Sequence, residues 1–329
     1  MPHSIRKLTQ NNYLAKDMYK KDKPQIPTNA GIIVVFTSLI SISLWPLINR
    51  LLNNSFGFYT STPDLNETNL AFLLVICIYT LYGLVDDLVD IGRILKLIIP
   101  VSFAFPLISV INPTFIDLPY FGTQNLTSNF VGDITYSDLF KVIIIPVYVM
   151  VVSNLVNMHS GYNGLQSGLS ILLILTLIFK SFSDNNVENS FPAIAFIGSI
   201  IAFWYYNRYP SKVFEGNIGS LMFGSIIGCL IVINEYWWFG FFIMVPHTIN
   251  FILWVFWLFL MKKNPEKYLD VTGHHKKFGY VRDDGTIHVP NYLTLKWVPN
   301  YFYRLTEPQT VKVCYMFTFL FCIFGLYLF

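Results

Sequence analysis

Charge is scarce in this chain. Lys, Arg, Asp and Glu make up 12% of its 329 residues, against about 25% in an ordinary soluble domain. So few charges cannot cover the surface of a protein of this length, which excludes a soluble globule. Cysteine is scarce too: Cys77, Cys229, Cys314 and Cys322 all lie inside apolar runs, with no CxxC pair. They read as small buried hydrophobes, which excludes a disulfide scaffold and a cysteine metal centre. Internal repeats and low-complexity linkers are missing, and an apolar fraction of 54% excludes disorder. The first 29 residues lack the apolar core of a cleavable signal peptide.

What the chain has instead is long apolar runs. Stretches near 20 residues are candidate membrane helices. Nine are expected, at about 30–49, 68–85, 94–112, 139–156, 167–182, 190–206, 217–233, 236–261 and 308–328. The fifth and sixth are short, and the eighth is long enough to tilt or kink at Pro246. A closed β-barrel is the other spanning solution, but these runs do not alternate apolar with polar. The expected fold is all-α: one polytopic membrane bundle over 1–329, with a polar tail at 1–29 and a large loop at 262–307.

Nine spans put the two ends of the chain on opposite faces, and the basic residues choose between them. Arg6, Lys7, Lys16, Lys20, Lys21 and Lys23 precede the first span. On the same side fall Arg93 and Lys96, then Arg208 and Lys212. Lys262, Lys263, Lys267, Lys276, Lys277, Arg282, Lys296 and Arg304 complete that side, eighteen of the 22 Lys and Arg. Positive charge stays inside, so the tail and the loops that share its face are expected in the cytoplasm. The three Asn-x-Ser/Thr triplets whose middle residue is not Pro, at Asn53, Asn66 and Asn125, fall on the other face.

The chemistry-bearing residues gather on the basic face. Asp86 and Asp87 are adjacent, with Asp90 a helical turn on and Lys96 beyond. Adjacent carboxylates repel unless a cation lies between them, so they suggest a divalent ion, a base, or both. Asn154 and Asn157 share a helix face, and their amides suit a metal or a ligand. Gly161 and Gly164 flank Asn163, which allows backbone to approach a nucleotide closely. Near Phe214, Glu215-Gly216-Asn217 sits just before a span. Gly273-His274-His275-Lys276-Lys277 suits a pyrophosphate clamp, or its lysines touch anionic headgroups. His159 is a poor metal ligand, since no second histidine stands at ligand spacing. A soluble, anionic substrate meeting something held in the bilayer fits this one-sidedness.

In order along the chain, these motifs resemble those of the polyprenyl-phosphate N-acetylhexosamine-1-phosphate transferases, in particular the branch of eukaryotes and archaea that uses dolichyl phosphate. The resemblance rests on Asp17-x-x-Lys20, Ile26-Pro27-x-x-x-Gly31, Asp86-Asp87 with Lys96, Asn154-x-x-Asn157, Gly161-Tyr-Asn163-Gly164-Leu165, Tyr209-Pro-Ser-Lys-Val-Phe214 with Gly216, and the histidine–lysine loop. Family members typically have one more span at the start. The position after Gly216 is usually a metal-binding Asp, and here it is Asn217.

The resemblance implies transfer of N-acetylhexosamine-1-phosphate, most simply GlcNAc-1-phosphate from UDP-GlcNAc, to dolichyl or another polyprenyl phosphate, with release of UMP. This would be the first step in building lipid-linked oligosaccharide for N-glycosylation. It implies Asp86, Asp87 and Lys96 as the catalytic set, and Asn157 and Asn217 as ligands of Mg²⁺ or Mn²⁺. Asn154, Gly161, Asn163, Phe214, His274, His275 and Lys276 would bind substrate. Membrane lipid and a second copy of the chain are expected partners, and nucleic acid is not. The loop at 262–307 carries no large inserted domain, which favours an archaeal cell membrane over an endoplasmic reticulum. Two other readings stand beside this one: a relative using another UDP-N-acetylhexosamine or polyprenol, and a cation-coupled transporter, which would place its acids near the bilayer midplane.

Overall fold

A computed structural model describes residues 1–56, 65–89, 91–92, 94–118, 121–268 and 278–329, without side chains at 52–56. The fold is a polytopic helical bundle. A short helix α1 (Pro2–Gln10) and a hairpin of β1 (Leu14–Lys16) and β2 (Gln25–Pro27) lead into α2 (Gly31–Phe56) and α3 (Glu67–Val89). Then come α4 (Leu95–Ile98), which continues as 3₁₀ turns through Ile99–Ser109, and two small hairpins. These are β3 (Phe115–Leu118) with β4 (Gly122–Asn125), and β5 (Asn129–Val131) with β6 (Ile134–Thr135). A continuous helix follows from α5 (Tyr136–Leu139) through a π-turn to α6 (Ile145–Met158). The rest is α7 (Leu165–Ser183), α8 (Val187–Asn207), α9 (Gly216–Ile233), α10 (Trp237–Ile243), α11 (Val245–Lys263), α12 (Pro265–Tyr268), the pair β7 (Tyr280–Val281) and β8 (Ile287–His288), α13 (Trp297–Phe302) and α14 (Glu307–Leu328).

Eight of these helices, not nine, are long and apolar enough to cross a bilayer among the described residues. The difference is the run at 94–112. Pro100 and Pro106 remove two backbone donors there, and the chain winds as 3₁₀ turns over eleven residues. At about 2.0 Å rise per residue that stretch spans about 22 Å, and α4 adds about 6 Å. The total, about 28 Å, is close to the roughly 30 Å of a hydrocarbon core. The expected eighth span also divides: α10 ends at Ile243, and Pro246 occupies the first turn of α11.

Helix α9 is the axis of the bundle. Every residue from Ile218 to Ile233 is buried, and α2, α3, α6, α7 and α8 surround it. In lipid, helices associate through close packing of small residues. At Gly83 a Cβ would fall 2.6 Å from the Asn217 carbonyl oxygen. That contact brings α3 against the start of α9, and Asp87, four residues on, shares the same face. Apolar side chains such as Phe36, Leu81, Phe179, Ile252, Phe259 and Phe324 stand exposed around the outside, where the bilayer would cover them.

Candidate functional site

Helix ends converge at one face of the bundle: the start of α2, the C-termini of α3, α6 and α8, and the N-termini of α7, α9 and α14. Between them lies a cleft of about 320 Å³, at the lower end of the usual range for ligand pockets. Asp87, Asn157, Gly161, Asn163, Phe214 and Asn217, which are far apart in the chain, all line it.

Asp87 has a definite task in this arrangement. Its two carboxylate oxygens accept the backbone N–H groups of Asn217 at 3.1 Å and Ile218 at 3.3 Å. Glu215, at the N-cap of α9, gives no side-chain cap, so a carboxylate from another helix fills that role. The positive end of α9 favours the charge. Gly216, at φ +70°, makes the approach possible, since a Cβ there would sit 2.7 Å from the Asp87 carboxylate.

The three proposed catalytic residues separate. Asp86 does not line the cleft; it is buried, paired to the Lys96 ammonium at 2.9 Å, and accepts the Ile91 N–H at 3.0 Å. The two asparagines of α6 separate likewise. Asn157 lines the cleft, and its amide has no partner among the described residues. Asn154 lies outside it and donates to the Met150 carbonyl at 3.0 Å. Being three residues apart on a helix is not enough to share a ligand, since the two side chains leave the axis about 60° apart and most of a turn apart along it.

Asn163 spends both ends of its amide on protein. Its oxygen accepts the Ser211 N–H at 3.0 Å and its nitrogen donates to Asp17 at 3.1 Å, while its backbone N–H donates to Glu307 at 2.6 Å. Lys20 bridges the two acids, 3.1 Å from Asp17 and 2.5 Å from Glu307. This buried network ties the N-terminal hairpin, the α6–α7 loop and α14 into one wall. A second clasp joins Phe214 N–H to the Pro27 carbonyl at 2.7 Å and Gly31 N–H to the Glu215 carbonyl at 3.0 Å. Asp17, Lys20, Pro27 and Gly31 thus hold the walls, and Asp17 also faces the cleft.

Several residues of the site carry no local motif. Glu307 looks in sequence like an ordinary acid in a first helical turn. Lys296 looks like a cation for headgroups, yet its ammonium is buried, 2.5 Å from the Ser160 carbonyl and over the Tyr19 and Tyr162 rings. Burial pulls its pKa down to about 8. Glu215 lines the cleft with one oxygen held by the Asn207 amide at 3.0 Å, and burial pushes its carboxyl up to about 7. His159 does have a histidine neighbour: the His247 ring lies 4.7 Å away, brought by α11 from far along the chain. Burial, then His247, holds His159 well below the ordinary range, so it is neutral. His274, His275 and Lys276 lie outside the described residues, as do Asp90 and Arg93.

The donors that face the cleft suit a hard divalent cation. Asn157 and Asn217 offer amide oxygens and Asp87 a carboxylate. Among the described residues, no three His, Cys, Asp or Glu side chains gather to cage an ion alone. That combination fits Mg²⁺, which keeps few protein ligands and completes its shell with water and substrate phosphates.

Comparison with known proteins identifies the family. Residues 69–235, half of the chain, match glycosyl transferase family 4, and this stretch carries Asp87, Asn157, Asn163, Phe214 and Asn217. A protein of Sulfolobus acidocaldarius with the inferred name UDP-N-acetylglucosamine–dolichyl-phosphate N-acetylglucosaminephosphotransferase is 26% identical over 87% of this chain and 79% of its own. A Saccharolobus solfataricus protein with the same inferred name is 26% identical over 76% of this chain and 71% of its own. The phospho-N-acetylmuramoyl-pentapeptide-transferase of Streptococcus mutans is 29% identical over 72% of this chain and 69% of its own. The chain is a multi-pass membrane transferase and belongs to glycosyl transferase family 4.

Proposed function

We propose that this chain transfers GlcNAc-1-phosphate from UDP-GlcNAc to dolichyl or a related polyprenyl phosphate at the cytoplasmic face of the membrane. The acceptor phosphate oxygen attacks the sugar-bearing phosphorus of the diphosphate. A new P–O–P bond forms, the bond to the uridylyl phosphate breaks, and UMP leaves with the bonding pair. Such transfers need alignment and charge neutralisation more than covalent help. The observation that carries the reading is the convergence of Asp87, Asn157, Asn217 and Phe214 on one cleft at the membrane boundary.

In this reading Asn157 and Asn217, which line the cleft, would hold Mg²⁺. When bound, the ion neutralises phosphate charge. Phe214, Gly161 and the wall fixed by Asn163 face the uridine. Asp87, anchored on α9, lies where the acceptor phosphate would approach and orients it or takes its proton. The Asp86–Lys96 pair stands behind that position, with Lys96 supplying positive charge. His274, His275 and Lys276 clamp the diphosphate by resemblance alone. A cation-coupled transporter fits less well, because its acids belong near the midplane, and these sit at helix ends.

The test is UMP release by purified protein given UDP-GlcNAc, dolichyl phosphate and Mg²⁺, with UDP-GalNAc and UDP-MurNAc-pentapeptide as competing donors. UMP and GlcNAc-diphosphodolichol should form together, in equal amounts. Release from another donor alone would reassign the sugar, and no release from any of them would overturn the reading.

A further inference from the structure

We propose that Asn125, on the face opposite the catalytic cleft, is an N-glycosylation site and that Asn66 is not. The proposal rests on the cytoplasmic placement of the cleft. Asp87 ends α3 and Asn157 lies in the last turn of α6, both at the cleft. The chain leaves that face through Leu95–Ser109 and returns through Tyr136–Met158. Asn125, between these two segments, therefore lies across the membrane from the nucleotide-sugar site. That is the side on which assembled oligosaccharide is handed to protein.

The local structure separates Asn125 from Asn66. Asn125 ends β4, and both it and Thr127 are exposed. The Thr127 N–H and hydroxyl both donate to the Asn125 side-chain oxygen, at 2.8 and 2.7 Å. This keeps amide and hydroxyl on one side of the turn and leaves the amide nitrogen without a partner among the described residues. Leu126 between them is buried, and its N–H donates to the Thr114 carbonyl at 2.9 Å. A tethered middle residue holds the two reactive side chains outward. Asn66 also uses its oxygen, to cap the Asn69 N–H at 2.8 Å, but its Thr68 is partly buried where Thr127 is exposed. It also sits at the first turn of a membrane span, where the bilayer obstructs a transferring enzyme. The side chain of Asn53 is outside the described residues.

The modification is a group transfer from a lipid-diphosphate oligosaccharide, catalysed by a membrane oligosaccharyltransferase. A bond forms between sugar C1 and Asn125 Nδ2, and the bond from C1 to the phosphate oxygen breaks. The lipid diphosphate leaves with the electron pair, and one Nδ2 proton passes to a base of that enzyme. Asn125 would thus carry an oligosaccharide whose lipid carrier is of the class this chain's own reaction loads.

The experiment is mass spectrometry of peptides from the full-length protein isolated from the membranes of its own cells. The peptide holding Asn125 should carry a glycan, and the peptide holding Asn66 should be bare. N125Q and T127A should each abolish the modification, T127S should retain it, and N125Q should leave UMP release unchanged. A bare Asn125 peptide, or a glycan on Asn66 in its place, overturns the proposal. Labelling of Q124C by an impermeant thiol reagent separates the two ways of failing. If the cysteine labels in intact cells while Asn125 is bare, the site is wrong and the orientation stands. If it labels only after permeabilisation, the orientation falls and takes the proposal with it.

Discussion

Replacing Asp87 by Asn tests whether its carboxylate reacts or only holds α9 in place, because the two roles predict different losses. Asn keeps one oxygen but turns an N–H₂ toward a second backbone donor. One of the two charge-assisted bonds, to Asn217 or Ile218, is then lost, at about 1.5–3 kcal/mol. Loss of the charge at the helix N-terminus adds about 0.3–1 kcal/mol. A pure capping role would therefore appear as about 2–4 kcal/mol of stability, with the folded fraction still turning over. A role at the reacting centre costs about 10²–10⁴-fold in rate, whatever the folded fraction. The assay is UMP release normalised to folded protein, alongside thermal unfolding in detergent. The expected outcome is near-complete loss of transfer with a modest fall in stability. Retention of more than about a tenth of native turnover per folded molecule would refute a chemical role for Asp87. The same change at Asp86 should cost more stability than the change at Asp87. It breaks a pair with Lys96 in which the acid is fully buried, and removing one partner of a buried pair costs about 3–5 kcal/mol.

Three further outcomes are expected. N217D should lower the Mg²⁺ concentration for half-maximal UMP release and N217A should raise it, since hard cations prefer charged oxygens; three superimposed titrations would show that Asn217 does not touch the ion. K20M strands Asp17 and Glu307 without their shared cation, so it should destabilise the fold by about 3–5 kcal/mol, and adding E307Q should recover part of that loss; strict additivity of the two unfolding measurements would argue against the network. For Lys296 the folded pKa of about 8 lies below the ordinary 10.5. Its contribution to stability is therefore complete above about pH 10.5 and is lost as pH falls through about 8. Unfolding followed by tryptophan fluorescence should show the native protein gaining on K296M between those limits, and parallel pH curves would contradict the burial of the ammonium.

Much of the architecture was legible because membrane burial imposes simple rules on sequence. Apolar length marked α2, α3, α7, α8, α9 and α14, since lipid demands a continuous helix about 20 residues long. The run at 94–112 misled on type but not on place. A count of apolar residues cannot tell α from 3₁₀, and the donors missing at Pro100 and Pro106 decided it. Within the site, the residues read from motifs were those whose chemistry and position coincide. Asp87, Asn157, Phe214 and Asn217 each lie within a turn of a helix end, where side chain and backbone face the same cleft.

The residues that sequence did not separate or find all depend on contacts distant in the chain. Asp86 and Asp87 are neighbours of identical chemistry, but successive residues on a helix diverge by about 100°. One therefore meets α9 and the other meets Lys96. Asn163 reads as a ligand for uridine, because nothing near it announces Asp17, Ser211 or Glu307, which take up its amide and backbone N–H. Glu307 stands 144 residues beyond Asn163, at the start of α14, and only the closing of the bundle brings it under the α6–α7 loop. The same closure sets Lys296 against Ser160 and His247 against His159. A helix end is a poor ligand site by itself, because it is short of side chains and frays. Several ends from one bundle, pinned by buried pairs such as Lys20 with Asp17 and Glu307, make a rigid rim at the membrane surface. Such a rim can align a water-borne diphosphate with a phosphate that the bilayer holds at fixed depth. The lipid-facing helices then serve the chemistry by fixing that depth, and their ends, with Asp87, Asn157 and Asn217, supply the groups that align and neutralise the reacting phosphates.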